Sequence, residues 1–331
     1  MSNKFTDAMS HLLDFSATAD LLRYDFVQQA LIAGAILGLL AGVIGPLIVS
    51  RQMSFAVHGT SELSLTGASA ALLIGVGVGI GAVVGSVVAA VLFGLLGTKA
   101  RERDSVIGVI MAFGLGLSVL FLWAYDGRTG TSFSLLVGQI VAPGNSGLAL
   151  LFGCAVVVLG TLAVIYRPLL FASTDPEVAA ARGVPVRALS IVFAVLVGIT
   201  AALGVQIVGA LLVMALLITP AAAAGHVTAN PLKATVLAVL FAELAAVGGI
   251  LLSLAPGVPV STFVTTISFV IYLVCRAIGA SRGGGRRDAR SSRPASTCTP
   301  ESSPHVKALP PAGGSAFTFW WLYYVAAGSA S

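Results

Sequence analysis

The sequence predicts an all-α fold: a polytopic transmembrane helix bundle of about eight to nine spans, with one short helix standing outside the membrane. Three observations predict it. The chain is 57% hydrophobic and only 9% charged, whereas soluble domains carry about 25% charged residues, and its mean hydropathy is +1.00. Apolar runs at 30–49, 106–122, 148–165 and 236–254 are each about 17–20 residues, the length that crosses roughly 30 Å of hydrocarbon at 1.5 Å per residue. Third, the stretch 167–187, RPLLFASTDPEVAAARGVPVR, is a charged island between two such runs.

Taken in order, the spans fall at roughly 27–49, 62–79, 81–97, 106–124, 147–166, 188–204, 206–224, 234–254 and 261–279. The runs 62–97 and 188–224 are each too long for one bilayer crossing, so breaks are expected near Gly79–Gly81 and near Gly204–Gln206. TSFSLLVGQIVA, at 131–142, is too short to span and reads as a re-entrant or surface hairpin. Gly34, Gly38 and Gly42 recur every four residues, as do Gly81 and Gly85, a spacing that lets helix backbones approach closely in lipid. The alternation Gly75-Val76-Gly77-Val78-Gly79-Ile80-Gly81 argues only weakly for a nucleotide loop, because it lies inside an apolar run with no strand–turn–helix around it.

Three segments follow: a polar N-terminal stretch (1–26), the transmembrane domain (27–279) and a basic tail (280–331) expected to lack a packed core. The tail carries AFTFWWLYYVAAG, too short to span, which reads as an unrelated or frame-shifted end or, alternatively, as a membrane-surface anchor. Most of the formal charge of +5 sits in that tail, so the basic balance does not argue for nucleic acid. Cys154, Cys275 and Cys298 are odd in number and scattered, which suggests neither a disulfide framework nor a zinc knuckle. The polar start, with Asp7, Asp14, Asp20 and Asp25, shows no cleavable signal peptide.

Lys and Arg set the orientation. Loops 50–61, 98–105, 167–187 and 225–233 on one side collect Arg51, Lys99, Arg101, Arg103, Arg167, Arg182, Arg187 and Lys233, against Lys4, Arg23 and Arg128 opposite. That side is the cytoplasm, with the N-terminus outside and the C-terminus inside. The charged island then lies in the cytoplasm. Asp175 is a plausible N-cap, Pro176 occupies the first helical position, Gly183 stops the helix and Pro185 follows it. A short capped helix placed there suits a transporter that docks a soluble partner.

No catalytic constellation is visible: no Walker loop, no GxSxG and no HExxH. Ionisable residues inside the membrane are costly and are functional candidates by default. His58 and Glu62, four apart at the entry to the second span, share a helix face. An imidazole and a carboxylate together suit Zn²⁺ or Mn²⁺, with Ser61, Ser64 and Thr66 adding oxygens nearby. The alternative places His58 in an interfacial loop and Glu62 as a helix-start carboxylate favoured by the dipole. Glu243 lies mid-span, as a pathway residue or as a hydrogen-bonded structural acid; His226, at the end of a span, suits a helix C-terminus.

Over residues 27–279 the chain resembles the membrane subunits of ABC importers for zinc and manganese. RQMSFAVHGTSELSLTGASAALLIG resembles that family's arginine-bearing turn and the Asp- and His-bearing helix after it. KARERDSVIGVIMAFGLGLSVLFL resembles its basic loop and next span, and FASTDPEVAAARGVPVR with the following spans through Thr219-Pro220 resembles its coupling region. The family's usual Asp falls at His58 and its usual His at Glu62, an exchange that keeps one imidazole and one carboxylate.

The resemblance implies a permease without its own ATPase site, in the bacterial cytoplasmic membrane. It implies no permanently bound cofactor, a transported Zn or Mn ion, and a second permease subunit forming a dimer. Cytoplasmic ATPase subunits and an extracytoplasmic metal-binding lipoprotein would complete the system. Asp175, Pro176, Glu177, Arg182 and Gly183 would form the helix that couples to the ATPase. The rival from another class is an ion-gradient-driven secondary transporter with Glu243 as its proton site. Such carriers often show two related halves, and no internal repeat is visible here.

Overall fold

The computed structural model describes residues 22–96, 100–125, 144–254 and 260–291. Among these it is about 91% helical and has no strand. Ten helices follow in chain order: α1 Asp25–Ser50, α2 Ser54–Ile74, α3 Val78–Leu96, α4 Ala100–Trp123, α5 Gly144–Thr174, α6 Pro176–Ala181, α7 Val186–Val208, α8 Ala210–Val227, α9 Pro231–Leu254 and α10 Val260–Ser291. Seven of them are long and apolar enough to cross a membrane, and α8 supplies a shorter apolar helix, Leu212–Val227. The expected hairpin at 131–142 lies outside the described residues.

Each of the nine anticipated spans corresponds to one helix, with shifted boundaries. The break expected near Gly79–Gly81 falls earlier, at Gly75, which ends α2 at φ +79°. The break expected near Gly204–Gln206 falls later, at Gly209, between α7 and α8. α2 begins at Ser54, eight residues before the expected start. Its 21 residues are long enough to cross, yet it is not among the seven strongly apolar spans. A helix enclosed by other helices need not be apolar all round. α2 packs on α3, α4 and α7, and Thr60, Ser61, Ser64 and Ser69 are buried within it.

The charged island is also shorter than expected. α5 continues through Pro168 to Thr174, so Arg167 stands on a helix and not in a loop. Proline within a membrane helix is tolerated where neighbours keep the turn packed, and Leu169 and Ala172 just beyond it are buried. At the far end, α10 runs to Ser291, about twelve residues into the tail expected to be unstructured; residues 292–331 lie outside the description.

Glycines decide two of the helix crossings. On α1, Gly34 faces Ile250, Gly38 faces the Glu243 carboxyl and Gly42 faces the Val239 backbone, so the four-residue stripe is the groove that receives α9. On α2, Gly67 meets Gly81 and Gly85 of α3 nearly backbone to backbone. Without a hydrophobic driving force between helices in lipid, such close approach supplies the packing that holds them. Gly67→Leu is expected to cost about 3 kcal/mol by forcing these backbones apart, read as a lowered unfolding midpoint of the detergent-purified protein. An unchanged midpoint would contradict the crossing.

Long-range contacts fix the two ends of the bundle. Arg51, closing α1, donates to Ser173 at the end of α5 and to Ser190 near the start of α7. The α1–α2 turn and the α5–α7 connection therefore share one end, as the charge pattern requires. At the other end Gln206 of α7 donates to the Gly79 carbonyl of α3 over 3.4 Å.

Candidate functional site: a polar stripe on α2 and a capped helix outside the bundle

His58 and Glu62 both lie inside α2, in its second and third turns, and not in a loop or at a helix start. They share a face one turn apart, close enough to interact electrostatically. Both are half-buried, and Thr66 extends the same stripe by one more turn. The Nδ1 atom of His58 is buried and has no hydrogen-bond partner. Such an orphan is costly unless something else satisfies it, and an imidazole nitrogen is a ready ligand for a borderline divalent ion.

The neighbouring hydroxyls divide. Ser61 donates to the His58 carbonyl at 2.7 Å. Thr66 is committed to α4, bonding the Gly114 carbonyl at 2.9 Å and the Ser118 hydroxyl at 2.8 Å. The Ser64 hydroxyl is buried without a partner. Of the three oxygens expected beside the pair, Thr66's therefore serves to hold α2 on α4. Among the described residues no group of three or more His, Cys, Asp or Glu side chains could cage a metal. His58 and Glu62 offer one imidazole and one carboxylate a turn apart, fewer donors than a closed metal cage would need.

Glu243 is not brought to this stripe. It sits on α9, which packs on α1, α8 and α10, with its carboxyl carbon 3.1 Å from where a Cβ on Gly38 would stand. Absence of a side chain at Gly38 makes room for a carboxyl group against α1, beside the exposed Leu240 and Leu244. His226 lies in the last turn of α8, its ring edge-on to Tyr272 of α10 at 5.5 Å.

The capped helix takes the predicted form. Asp175 is the N-cap of α6, its carboxylate accepting from the Val178 amide at 3.0 Å, with Pro176 at the first position and Glu177 in the first turn. At the other end Gly183 N–H donates to Ala180 and Val184 N–H to Ala179, both at 3.0 Å. That pair of bonds is the Schellman arrangement, and it needs Gly183 at φ +81°. Ala179 is fully buried and pins the helix to the bundle, while the Arg182 guanidinium lies 5.8 Å from the Phe171 ring centre. Glu177, Val178, Ala180 and Arg182 are exposed, so α6 presents an apolar side chain flanked by charges.

The ABC 3 transport family matches residues 23–279. The chain is 30% identical over 274 residues to the manganese transport system membrane protein MntC of Halalkalibacterium halodurans, covering 82% of this chain and 94% of that protein. It is 26% identical over 231 residues to the high-affinity zinc uptake system membrane protein ZnuB of Haemophilus influenzae, covering 70% and 88%. Among solved structures it resembles PsaBC from Streptococcus pneumoniae in complex with Fab, with a TM-score of 0.71 and 26% identity over 79% of this chain and 95% of that one. With membrane-length helices, a polar α2 and a capped α6 in place, the match over most of its length settles the assignment: this multi-pass membrane protein belongs to the ABC 3 transport family.

Proposed function

We propose that this chain is the permease subunit of an ABC-type importer that carries a divalent transition metal, manganese or zinc, across the cytoplasmic membrane. The observation that carries the reading is the half-buried imidazole–carboxylate pair on α2, with the orphaned His58 Nδ1. Its relatives named for manganese and zinc transport support the choice of cargo. His58 and Glu62 form a transient stop on the path, and water or the delivering protein completes the ion's coordination.

α6 is the docking point for cytoplasmic ATPase subunits, and Asp175, Pro176, Glu177, Arg182 and Gly183 shape it. A metal-binding lipoprotein delivers the ion on the opposite face. The His58–Glu62 stripe is only half covered by this chain, and polar groups facing lipid are costly, so a second copy of the permease completes the path in a homodimer. The gradient-driven carrier loses its support, because the family is ATP-driven and Glu243 sits in the α1–α9 seam.

Whole-cell elemental content in metal-poor medium tests the reading. Deleting the gene in a strain without a redundant importer is expected to lower manganese or zinc selectively. Unchanged content of both metals would overturn it.

A further inference from the structure

The turn between α1 and α2 is tied to both helices that flank α6. Arg51 Nη1 donates to Ser173 Oγ at 2.9 Å, and Nη2 donates to Ser190 Oγ at 2.6 Å. Ser173 lies in the last turn of α5, two residues before the Asp175 cap; Ser190 lies early in α7, seven residues after Gly183. The guanidinium also stands 5.5 Å from the centre of the buried Phe193 ring. One planar cation thus grips the chain on each side of α6.

The same residue stands at the foot of α2. It is followed by Gln52, a non-glycine residue at φ +53°, and by Met53, the residue that precedes α2. A left-handed backbone at such a residue is uncommon and is held in place by its surroundings. Above the turn, the foot of α2 packs on α3 and α7 around a small cavity lined by Met53, Ala56, Thr60, Phe93, Ala194 and Val197. The Arg51–Ser190 bond ties the α1–α2 turn to α7, so whatever moves the flanks of α6 reaches the start of α2 through Arg51.

We propose that Arg51 is a positioning residue that transmits displacement of α6 to α2, and so to His58 and Glu62. The inference rests on the importer reading, in which an ATPase moves α6. Arginine suits this task because its rigid fork reaches two acceptors at once while its face stacks on an aromatic ring. Lysine keeps the charge but offers a point donor on a flexible stem, so it cannot hold both serines and stack.

The test uses the full permease with its ATPase in proteoliposomes, reading both ATP hydrolysis and Mn²⁺ or Zn²⁺ moved per ATP. R51K and the double variant S173A/S190A are compared with the unaltered complex. Both are expected to keep ATPase co-purification while metal moved per ATP falls about tenfold, within the range covered by coupling between distant sites. A ratio equal to the unaltered complex in either variant would overturn the proposal. So would a parallel fall in hydrolysis and transport with lost co-purification, which marks a purely structural role. If the unaltered complex hydrolyses ATP but moves neither metal, the importer reading itself fails, and the link with it.

Discussion

Replacing His58 and Glu62 together by alanine is expected to lower metal uptake by about two orders of magnitude. Disturbing residues behind a metal's own ligands already costs 10–100-fold, and here the imidazole and the carboxylate proposed to hold the ion are both removed. The change should leave the fold and the ATPase partner in place, because α2 is held by the Gly67 crossing with α3 and by Thr66 on α4, and neither contact involves the pair. Swapping the two residues sharpens the test. His58→Asp with Glu62→His keeps one carboxylate and one imidazole a turn apart and is expected to retain most uptake. His58→Asp alone leaves two carboxylates, a harder ligand set that shifts preference from zinc toward manganese. Uptake of radioactive or isotopically enriched metal into cells checks all three. Wild-type uptake in the double alanine variant would remove the stripe from the path.

Reversing charge on α6 is expected to abolish ATPase association and, with it, uptake. α6 is six residues long, well below the length at which a helix is stable by propensity. It stands by its caps and by Ala179. Asp175→Lys removes the carboxylate that accepts from the Val178 amide and places a cation at the positive end of the helix. The cap alone is worth about 1 kcal/mol, and the dipole adds to the loss. Glu177→Lys spares the cap and changes the exposed face, so it separates helix stability from surface recognition. Both are expected to reach the membrane normally, since the spans are untouched, and to fail in co-purification of the ATPase. Unchanged co-purification in both would place docking elsewhere.

The residues of α6 show how far sequence alone reaches. Asp175, Pro176 and Gly183 occupy the cap, first-turn and stop positions that their chemistry favours, because capping is decided within a few residues. The glycine stripe at Gly34, Gly38 and Gly42 was equally legible as a close-approach surface. That α9 is its partner, and that a carboxyl group fills the Gly38 notch, was not legible. The start of α2 was misplaced for a related reason. Hydropathy detects helices that face lipid, and a helix shielded by α3, α4 and α7 can carry His58, Ser61, Glu62 and Ser64 without that signal.

His58 and Glu62 could be paired from their spacing, since residues four apart on a helix must share a face. That Thr66 is diverted to Gly114, and that Ser64 and the His58 ring nitrogen are left without partners, depends on what packs beside them. Arg51 could be counted as a basic loop residue, but its grip on Ser173 and Ser190 joins positions 122 and 139 residues apart. Capping, glycine turns and apolar runs act over one or two helical turns, and the order of residues specifies them directly. Which helix covers the polar stripe, which acid meets which glycine and which serines Arg51 holds depend on packing among helices distant in the chain, which only the folded bundle decides.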